Sequence, residues 1–340
     1  MALRLLELKL PAADADLLAE LPDDVQVQDV SHLPVEDGHR LVRILIDAHD
    51  TEAVLDRVTA RFGSRESFRL VLLPVEATLP APVQPELPPA SATPGAEKEP
   101  VRVGFKRISR EELYEDIFAA SKLTGTYALM VAVSTIVAAV GLLRGDTAVV
   151  IGAMVIAPLL GPNISLAVAA TLGDARLAVS SLKAIAAGVS TAALLSLLAG
   201  TVVDVHPGMP ELLMRTRPRF GDILLALASG TAGALAFTSA VPGVVVGVMV
   251  AVALLPPLVV AGLFAGSGHL QPAVGALILA ATNVTCINLA AVATFFLQGV
   301  RPRVWWETKR ARRATRIAGG VWIAMLLLLA GLMRLVRPVP

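Results

Sequence analysis

Long apolar runs separated by short polar breaks fill the chain from about residue 123 to its end. A helix needs roughly 20 apolar residues to cross the hydrocarbon core of a bilayer. Seven runs come close to that length, at 125–143, 148–172, 182–203, 222–241, 243–266, 273–298 and 317–336. The pattern predicts an all-α polytopic membrane bundle with six or seven transmembrane helices.

Two of these runs contain proline and are similar to each other. The segment VVIGAMVIAPLLGP at 149–162 recurs as VVVGVMVAVALLPP at 244–257, and eight of the fourteen aligned positions are identical. Proline removes a backbone donor and clashes with the preceding turn, so each helix should kink or break there. In hydrocarbon, a break is tolerated only where protein or a water-filled cavity satisfies the freed backbone groups. We therefore predict a pair of broken helices.

The similarity extends to the neighbouring runs. Adding 95 to the positions of the first three runs gives the next three, which predicts two repeats at 123–203 and 218–298. Because three spans is an odd number, the second repeat enters the membrane from the opposite side. Inverted repeats with interrupted helices are typical of secondary transporters. If 148–172 were instead a re-entrant hairpin, the parity would change and the inversion would fail.

The first 76 residues show a different pattern. Apolar and polar residues alternate over 2–10, 25–33 and 40–48, as they do in strands, and a last strand lies before residue 76. A helix after Asp50 or Thr51, and a shorter one before residue 22, complete a β-α-β-β-α-β order. This is the ferredoxin-like pattern, so residues 1–76 are predicted to form a small soluble α+β domain. Such a fold assigns no function by itself.

Two segments connect this domain to the apolar runs. Residues 77–108 are rich in proline and alanine and are predicted to be a semi-rigid linker. Residues 109–122 follow, with Ser109 and Glu112 in the spacing of a capping box. We predict an amphipathic helix there that lies on the cytoplasmic membrane surface.

The distribution of charge predicts the orientation. Of 28 acidic residues, 22 precede Lys122, whereas residues 301–316 carry seven Lys or Arg and one acid. An excess of Lys and Arg marks cytoplasmic loops, so 301–316 is predicted to be a basic cytoplasmic loop before a last transmembrane helix in 317–340. Six crossings then place the N-terminal domain in the cytoplasm. The basic loop either binds anionic lipid or only fixes the topology, and the sequence favours the second.

Composition excludes several classes of protein. The net charge of +1 indicates no nucleic-acid partner, and the single cysteine, Cys286, allows no disulfide framework. Residues 1–21 do not have the pattern of a signal peptide. No catalytic motif, cofactor motif or metal-ligand cluster is recognisable, so we expect a protein that is not an enzyme and uses no cofactor.

Candidate contacts to a permeant molecule or ligand lie at the two proline breaks and on the sixth apolar run. Thr282, Thr285 and Asn288 follow one another at three-residue intervals on one helix face, and Asn163 follows the first break. Such residues either line a path or tie neighbouring membrane helices together. The full candidate set is Pro158, Gly161, Pro162, Asn163, Ser165, Leu255, Pro256, Pro257, Thr282, Asn283, Thr285 and Asn288.

A family resemblance supports this architecture. The run from 124 to 174, with the core GAMVIAPLLGP at 152–162, resembles the signature of the domain-of-unknown-function 389 (DUF389) membrane proteins, also called the uncharacterised hydrophobic domain family. The resemblance covers roughly residues 105–300. It implies a prokaryotic inner-membrane protein with a cytoplasmic N-terminal domain, and it supplies no substrate and no functional residues.

The sequence leaves two functions open. The first is a transporter or channel for a small solute or ion, in which the broken helices meet near the middle of the bilayer. The second is a membrane-anchored sensor or scaffold whose N-terminal domain binds a ligand or partner. In both cases the lipid bilayer is a partner, and the small-residue helix faces favour a homo-oligomer.

Overall fold

A computed structural model describes residues 3–11, 27–35, 38–48, 50–65, 68–75, 78, 108–239, 254–300 and 305–335, with side chains from 311 to 334 in the last range. The chain divides into two compact units, Met1–Leu113 and Tyr114–Pro340.

The first unit contains a small antiparallel sheet. Strands β1 (Leu3–Pro11), β2 (Val27–Val35), β3 (His39–Asp47) and β4 (Arg69–Val75) lie in the order β2-β3-β1-β4, and helix α1 is Thr51–Phe62. The structure confirms the four predicted strands, and most of their ends lie within two residues of the predicted positions. The predicted first helix lies outside the described residues.

One face of this sheet forms the core of the unit. Leu6 and Leu8 of β1 alternate with outward residues and pack with Ile44 of β3 and with Phe62 of α1. Asp50 precedes α1 but makes no capping hydrogen bond with its side chain. Instead, the hydroxyl of Thr51 donates to the carbonyl of Asp47, at 3.2 Å.

The predicted capping box at the start of the entry helix forms only in half. Helix α2 is Arg110–Ala120, and the backbone N–H of Glu112 donates to Ser109 Oγ at 3.2 Å. The carboxylate of Glu112 does not return to Ser109, because Arg4 of β1 binds it with Nη2 at 2.5 Å. An ion pair with a guanidinium replaces the second half of the box.

The second unit is helical. After α2, its elements are α3 (Gly125–Arg144), α4 (Thr147–Ile156), α5 (Leu160–Leu172), α6 (Ala175–Val202), α7 (Pro210–Leu213), α8 (Phe220–Thr238), α9 (Leu255–Gly266), α10 (Leu270–Leu297) and α11 (Trp305–Leu335). Five helices are long and apolar enough to cross a membrane, and the bent pair α4–α5 adds a sixth span if it is counted as one.

Helix bounds recur at the offset found in the sequence. Helix α9 begins 95 residues after α5, and α10 begins and ends 95 residues after α6. The turns before the later helices also correspond, because Gly173 and Gly268 both adopt positive φ, at 73° and 85°. That backbone conformation favours glycine, which has no Cβ to clash.

Two helix boundaries differ from the prediction. The third apolar helix begins at Ala175 and not at residue 182, because the Asp174 carboxylate accepts the N–H groups of Arg176 and Leu177 and caps it. The predicted basic loop 301–316 is helical from Trp305 onward. Arginine and lysine are good helix formers, so these charges extend the last helix and do not form a loop.

The entry helix packs against protein. Tyr114 OH donates to Asp174 Oδ2 at 2.7 Å, Ser121 Oγ lies 3.4 Å from Ser180 Oγ, and Ala120 lies against Gly161. The sequence predicted that this helix lies on the membrane surface. Its 114–121 segment buries one side against the helical unit, with Ile117 fully buried, and its position at the membrane surface stays a prediction.

Contacts between helix ends define two ends of this unit. At the Asp174 end, Thr315 Oγ1 donates to Ala170 O at 3.1 Å, and Gln298 Nε2 donates to Thr238 Oγ1 at 2.9 Å. At the opposite end, called the Asp146 end, Thr147 Oγ1 donates to Glu211 Oε1 at 3.0 Å. Helices α4–α5, α8 and α10 therefore run toward the Asp174 end, and α6 runs away from it.

The remaining directions follow from backbone contacts at the Asp146 end. Gly266, at the end of α9, meets Leu197 and Gly200 near the end of α6, and Gly275 near the start of α10 meets Thr216. Helix α9 therefore ends where α6 ends. Helix α3 also ends there, where Gly141 lies against α4 near its first turns.

The Tyr114–Asp174 contact should make stability depend on pH. Burial and this hydrogen bond raise the pKa of Tyr114 to about 12. Burial by itself would raise the pKa of Asp174, but hydrogen bonds from Tyr114 and two backbone N–H groups hold this pKa below its ordinary value of 3.8. The bond thus contributes fully between pH 3.8 and 10.0, the ordinary pKa values of the two side chains.

Tyr114→Phe should lower the free energy of unfolding by about 1 kcal/mol at neutral pH, the usual net value of one hydrogen bond. The difference from the natural protein should shrink as the pH falls from about 3.8 through the depressed pKa of Asp174, because the unfolded state takes up its proton first while the folded carboxylate stays ionised. Thermal unfolding of both proteins in detergent at a series of pH values measures this difference in stability. A pH-independent difference would mean that lost packing, and not the bond, is responsible.

Candidate functional site

The first predicted break is confirmed as a bend of 49° between α4 and α5. Helix α4 closes at Ala157, whose N–H donates to Ala153 O at 3.1 Å and whose backbone is extended. An extended residue is the usual neighbour before a proline, here Pro158. Helix α5 then begins at Leu160, with Pro162 in its first turn, where proline removes only an N–H that would have no helical partner.

The second half-helix begins in the same way. Helix α9 starts at Leu255, with Pro256 and Pro257 in its first turn, and all three residues are buried. The part of the second apolar segment before residue 254 lies outside the described residues. The prolines of both segments therefore start a helix inside the protein.

Two of the candidate residues, which are distant in sequence, come together in the structure. Asn288 Nδ2 of α10 donates to Asn163 Oδ1 of α5 at 3.0 Å, and both side chains are buried. Asn163 Nδ2 in turn donates to Leu159 O at 2.8 Å, which is the residue just before α5. The pair, called here the amide pair, thus links the helix break to α10.

The amide pair leaves one acceptor without a partner. Asn288 Nδ2 also donates to Val284 O at 2.9 Å, and two acceptors beside one atom identify it as the nitrogen. Asn288 Oδ1 then points the other way, where the described residues offer it no hydrogen bond, although Asn288 is 0% exposed. A buried polar atom without a partner is costly, so it indicates a place where water or a ligand binds.

Other candidates are occupied within the protein. Thr282 and Thr285 donate to carbonyls of their own helix, Ile278 O and Ala281 O, both at 2.7 Å. Asn283 is 7% exposed on the same helix. For these positions the geometry favours a structural contact over a path through the bundle.

Gly161 and Ser165 also contact neighbouring helices. A Cβ on Gly161 would lie 3.0 Å from Ala120 Cβ, so its side faces the entry helix. Ser165 Oγ accepts from Ser181 Oγ at 2.9 Å. Ser181 was not among the candidates predicted from the sequence. The signal that identifies it is the buried stripe of small residues on α6, formed by Ser181, Ala184, Gly188 and Ala192.

The two helices that begin at the prolines, α5 and α9, each cross a long helix from the other predicted repeat. Helix α5 packs on α10 through the amide pair, and α9 packs on α6 through glycines at Gly200, Gly262 and Gly266. The two crossings differ chemically, because 95 residues separate Asn163 from Leu258 and Ala193 from Asn288. The α5–α10 crossing is therefore polar, whereas the α6–α9 crossing has apolar residues at the corresponding positions.

Among the described residues, five or six apolar spans have the length and composition of transmembrane helices, which indicates a helical membrane protein. It belongs to the family described as Domain of unknown function (DUF389), whose sequence model matches residues 154–289. The match contains the amide pair and both prolines of α9.

A relative supports this membership. The chain is 36% identical over 284 residues to an uncharacterized protein of Methanocaldococcus jannaschii, and the alignment covers 84% of each chain. No solved structure is significantly similar to the chain.

Proposed function

We propose that this protein is a transporter or channel for a small solute or ion, with its binding site at the amide pair. One observation carries the proposal. Helices α5 and α9 both begin among buried residues, at positions 95 residues apart, and beside the first start lies the unpartnered Oδ1 of Asn288. Interrupted helices in corresponding positions of two repeats are the usual indicator of a transport site.

Helix directions support an inverted repeat. The first repeat consists of α3, which runs from the Asp174 end, then α4–α5 toward it, and α6 away from it. Helices α8 and α10 run toward the Asp174 end, and α9 runs away from it, as the end contacts require. Each helix of the second repeat therefore runs in the direction opposite to that of its counterpart in the first. An inverted pair built in this way places both half-helix starts at similar depth.

Charge supports an inner-membrane location with the N-terminal unit in the cytoplasm. Arg312, Arg313 and Arg316 lie at the start of α11, on the Asp174 end, where α2 also enters. Arg215 lies on the other end, but Glu211 pairs with it at 2.8 Å. The hydrogen bond from Arg215 holds the pKa of Glu211 below its usual value.

The proposed site offers a ligand partial charges from dipoles and no full charges. The half-helix starts present the positive end of a helix dipole, and Asn288 Oδ1 presents a partial negative charge. Neither Asn163 nor Asn288 changes charge with pH, so we expect transport through this site without proton release from these residues. A site without full charges also binds weakly enough for its occupant to leave.

Purified full-length protein in liposomes tests the function. Flux should be measured for a panel of monovalent cations, anions and small neutral solutes, against empty liposomes from the same lipid. We expect at least one member of the panel to cross faster with the protein. If every member crosses at the rate of empty liposomes, while the protein unfolds cooperatively after extraction, transport is excluded for that panel and the proposal fails.

A second function is favoured by the outward face of the β-sheet. Leu33, Val71 and Leu73 are each 39% exposed on strands of this sheet, and opposite them α1 covers the core face. An open apolar sheet face is a surface for a partner or a second copy. We therefore propose, as the alternative, a membrane-anchored sensor or scaffold with a ferredoxin-like domain, a pattern that the strand order β2-β3-β1-β4 supports.

The liposome experiment separates the two functions. The sensor or scaffold predicts no flux for any member of the panel, together with self-association or partner binding that depends on the exposed face of the β-sheet. A monomer that moves solute would rule out this alternative.

A further inference from the structure

A cavity of about 610 Å³ lies at the Asp174 end, away from the amide pair. Its walls are the last turns of α10, the start of α11 and the end of α5. Carbon atoms form most of the lining, with Leu289, Val292 and Phe296 on one side. This volume lies within the range of small-molecule sites, and its apolar wall suits a hydrocarbon chain.

The polar part of the lining comes from two arginines. Arg312 and Arg316 are one turn apart on α11, and both border the cavity. Within the described part of the chain neither forms an ion pair, and no acidic residue occurs in 311–334. Two guanidinium groups on one helix face match the oxygens of a phosphate.

The two hydroxyls of the lining are already occupied as donors. Thr171 Oγ1 donates to Ala167 O at 2.8 Å, and Thr315 Oγ1 donates to Ala311 O at 2.9 Å. The arginines are therefore the available donors, and the cavity favours an occupant with one anionic group.

The position of the cavity favours a lipid over a soluble molecule. Arg316 is the last charged residue before the apolar stretch that begins at Ile317, so it lies at the depth of the headgroups. In the apolar part of α11 only 11% of the residues are buried within the protein. Large side chains such as Leu327 and Leu328 are exposed. A helix of this kind faces the acyl chains of the bilayer, and the cavity between α10 and α11 adjoins them.

We propose that this cavity holds one acyl chain of an anionic phospholipid, whose phosphate Arg312 and Arg316 bind. The positive charge of the two arginines suits the phosphate of the lipid, and the apolar wall suits its acyl chain. The proposal is independent of the transport site, because no residue of the amide pair borders the cavity.

Lipid titration of the delipidated full-length protein in detergent tests the proposal. Phosphatidylglycerol and phosphatidylcholine with identical chains should be compared by native mass spectrometry, together with glycerol phosphate as the headgroup without chains. Each arginine near a membrane surface contributes about 1 kcal/mol toward anionic lipid. We expect phosphatidylglycerol to bind roughly 30-fold more tightly than phosphatidylcholine, the ratio that corresponds to two such arginines.

Three variants separate the parts of the site. The double variant Arg312→Gln with Arg316→Gln should remove the preference for phosphatidylglycerol, whereas Arg313→Gln, an exposed arginine between them that does not border the cavity, should keep it. Gly319→Leu should weaken both lipids, because it fills the cavity. No atom lies within 4 Å of a Cβ at Gly319, so this variant is expected to fold.

Three results would overturn the proposal. The first is equal affinity of the natural protein for the two lipids. The second is an Arg313→Gln effect as large as that of the double variant, which would indicate a diffuse basic surface. The third is full competition by glycerol phosphate, which would indicate a site for phosphate without a chain.

Discussion

Asn288→Leu should abolish the flux measured in liposomes, because it removes the unpartnered Oδ1 from the proposed site. It also leaves Asn163 Oδ1 without its donor at 3.0 Å. A buried polar group that loses its partner costs about 1–3 kcal/mol, so this single variant should also unfold more easily. Loss of flux by itself would therefore not distinguish a binding residue from a structural one.

The double variant Asn163→Leu with Asn288→Leu makes that distinction. Replacing both partners by apolar groups of similar shape is nearly neutral, so the double variant should recover part of the lost stability and still carry no flux. Thr294→Val is the matched control on α10, since the Thr294 hydroxyl bonds only Ala290 O of its own helix, at 2.8 Å. A stable double variant with natural flux would remove the amide pair from the transport path.

Gly200→Ala should destabilise the helical unit strongly. Alanine normally improves a helix by about 1 kcal/mol over glycine, but a Cβ at position 200 would overlap the backbone oxygen of Leu263 on α9. A backbone cannot rotate away as a side chain can, so α6 and α9 would have to separate. Overpacking of this kind costs about 1–3 kcal/mol.

Gly152→Ala is the control for this substitution. Gly152 lies within α4, and no atom lies within 4 Å of the position of its Cβ. This variant should be as stable as the natural protein or slightly more stable. Thermal unfolding of both variants in the same detergent gives the comparison, and equal stability of the two would show that the α6–α9 crossing has room to relax.

The sequence predicted the elements of this protein well because their signals are local. Alternation of apolar residues located the strands, and runs of apolar residues located the long helices. Asp146 and Asp174 flank the broken segment in the sequence, and each caps the helix that follows it. The 49° bend at Pro158 follows from the missing backbone donor of proline.

The candidate site was predicted only in part, because its contacts are distant in sequence. Asn163 and Asn288 were both candidates, but 125 positions separate them, and no local pattern shows that they meet. Thr282 and Thr285 have the same residue chemistry, yet their hydroxyls bond to their own helix. A sequence shows which residues are polar, and tertiary packing decides which of them keep a free acceptor.

The basic segment before the last helix shows a second limit. Its charges predicted orientation, which depends only on composition. Two of its arginines also border an apolar cavity. This depends on how α11 packs against α10, which cannot be deduced from composition.

The unequal chemistry of the two helix crossings has a mechanical consequence. At the α6–α9 crossing, Gly200 and Gly266 lie against the backbone of the other helix, and Gly262 lies against the side chain of Ser196, so sliding there meets close contacts at once. At the α5–α10 crossing one hydrogen bond between two amide side chains spans the gap. We therefore expect any movement between the two predicted repeats to separate Asn163 from Asn288 before it separates α6 from α9.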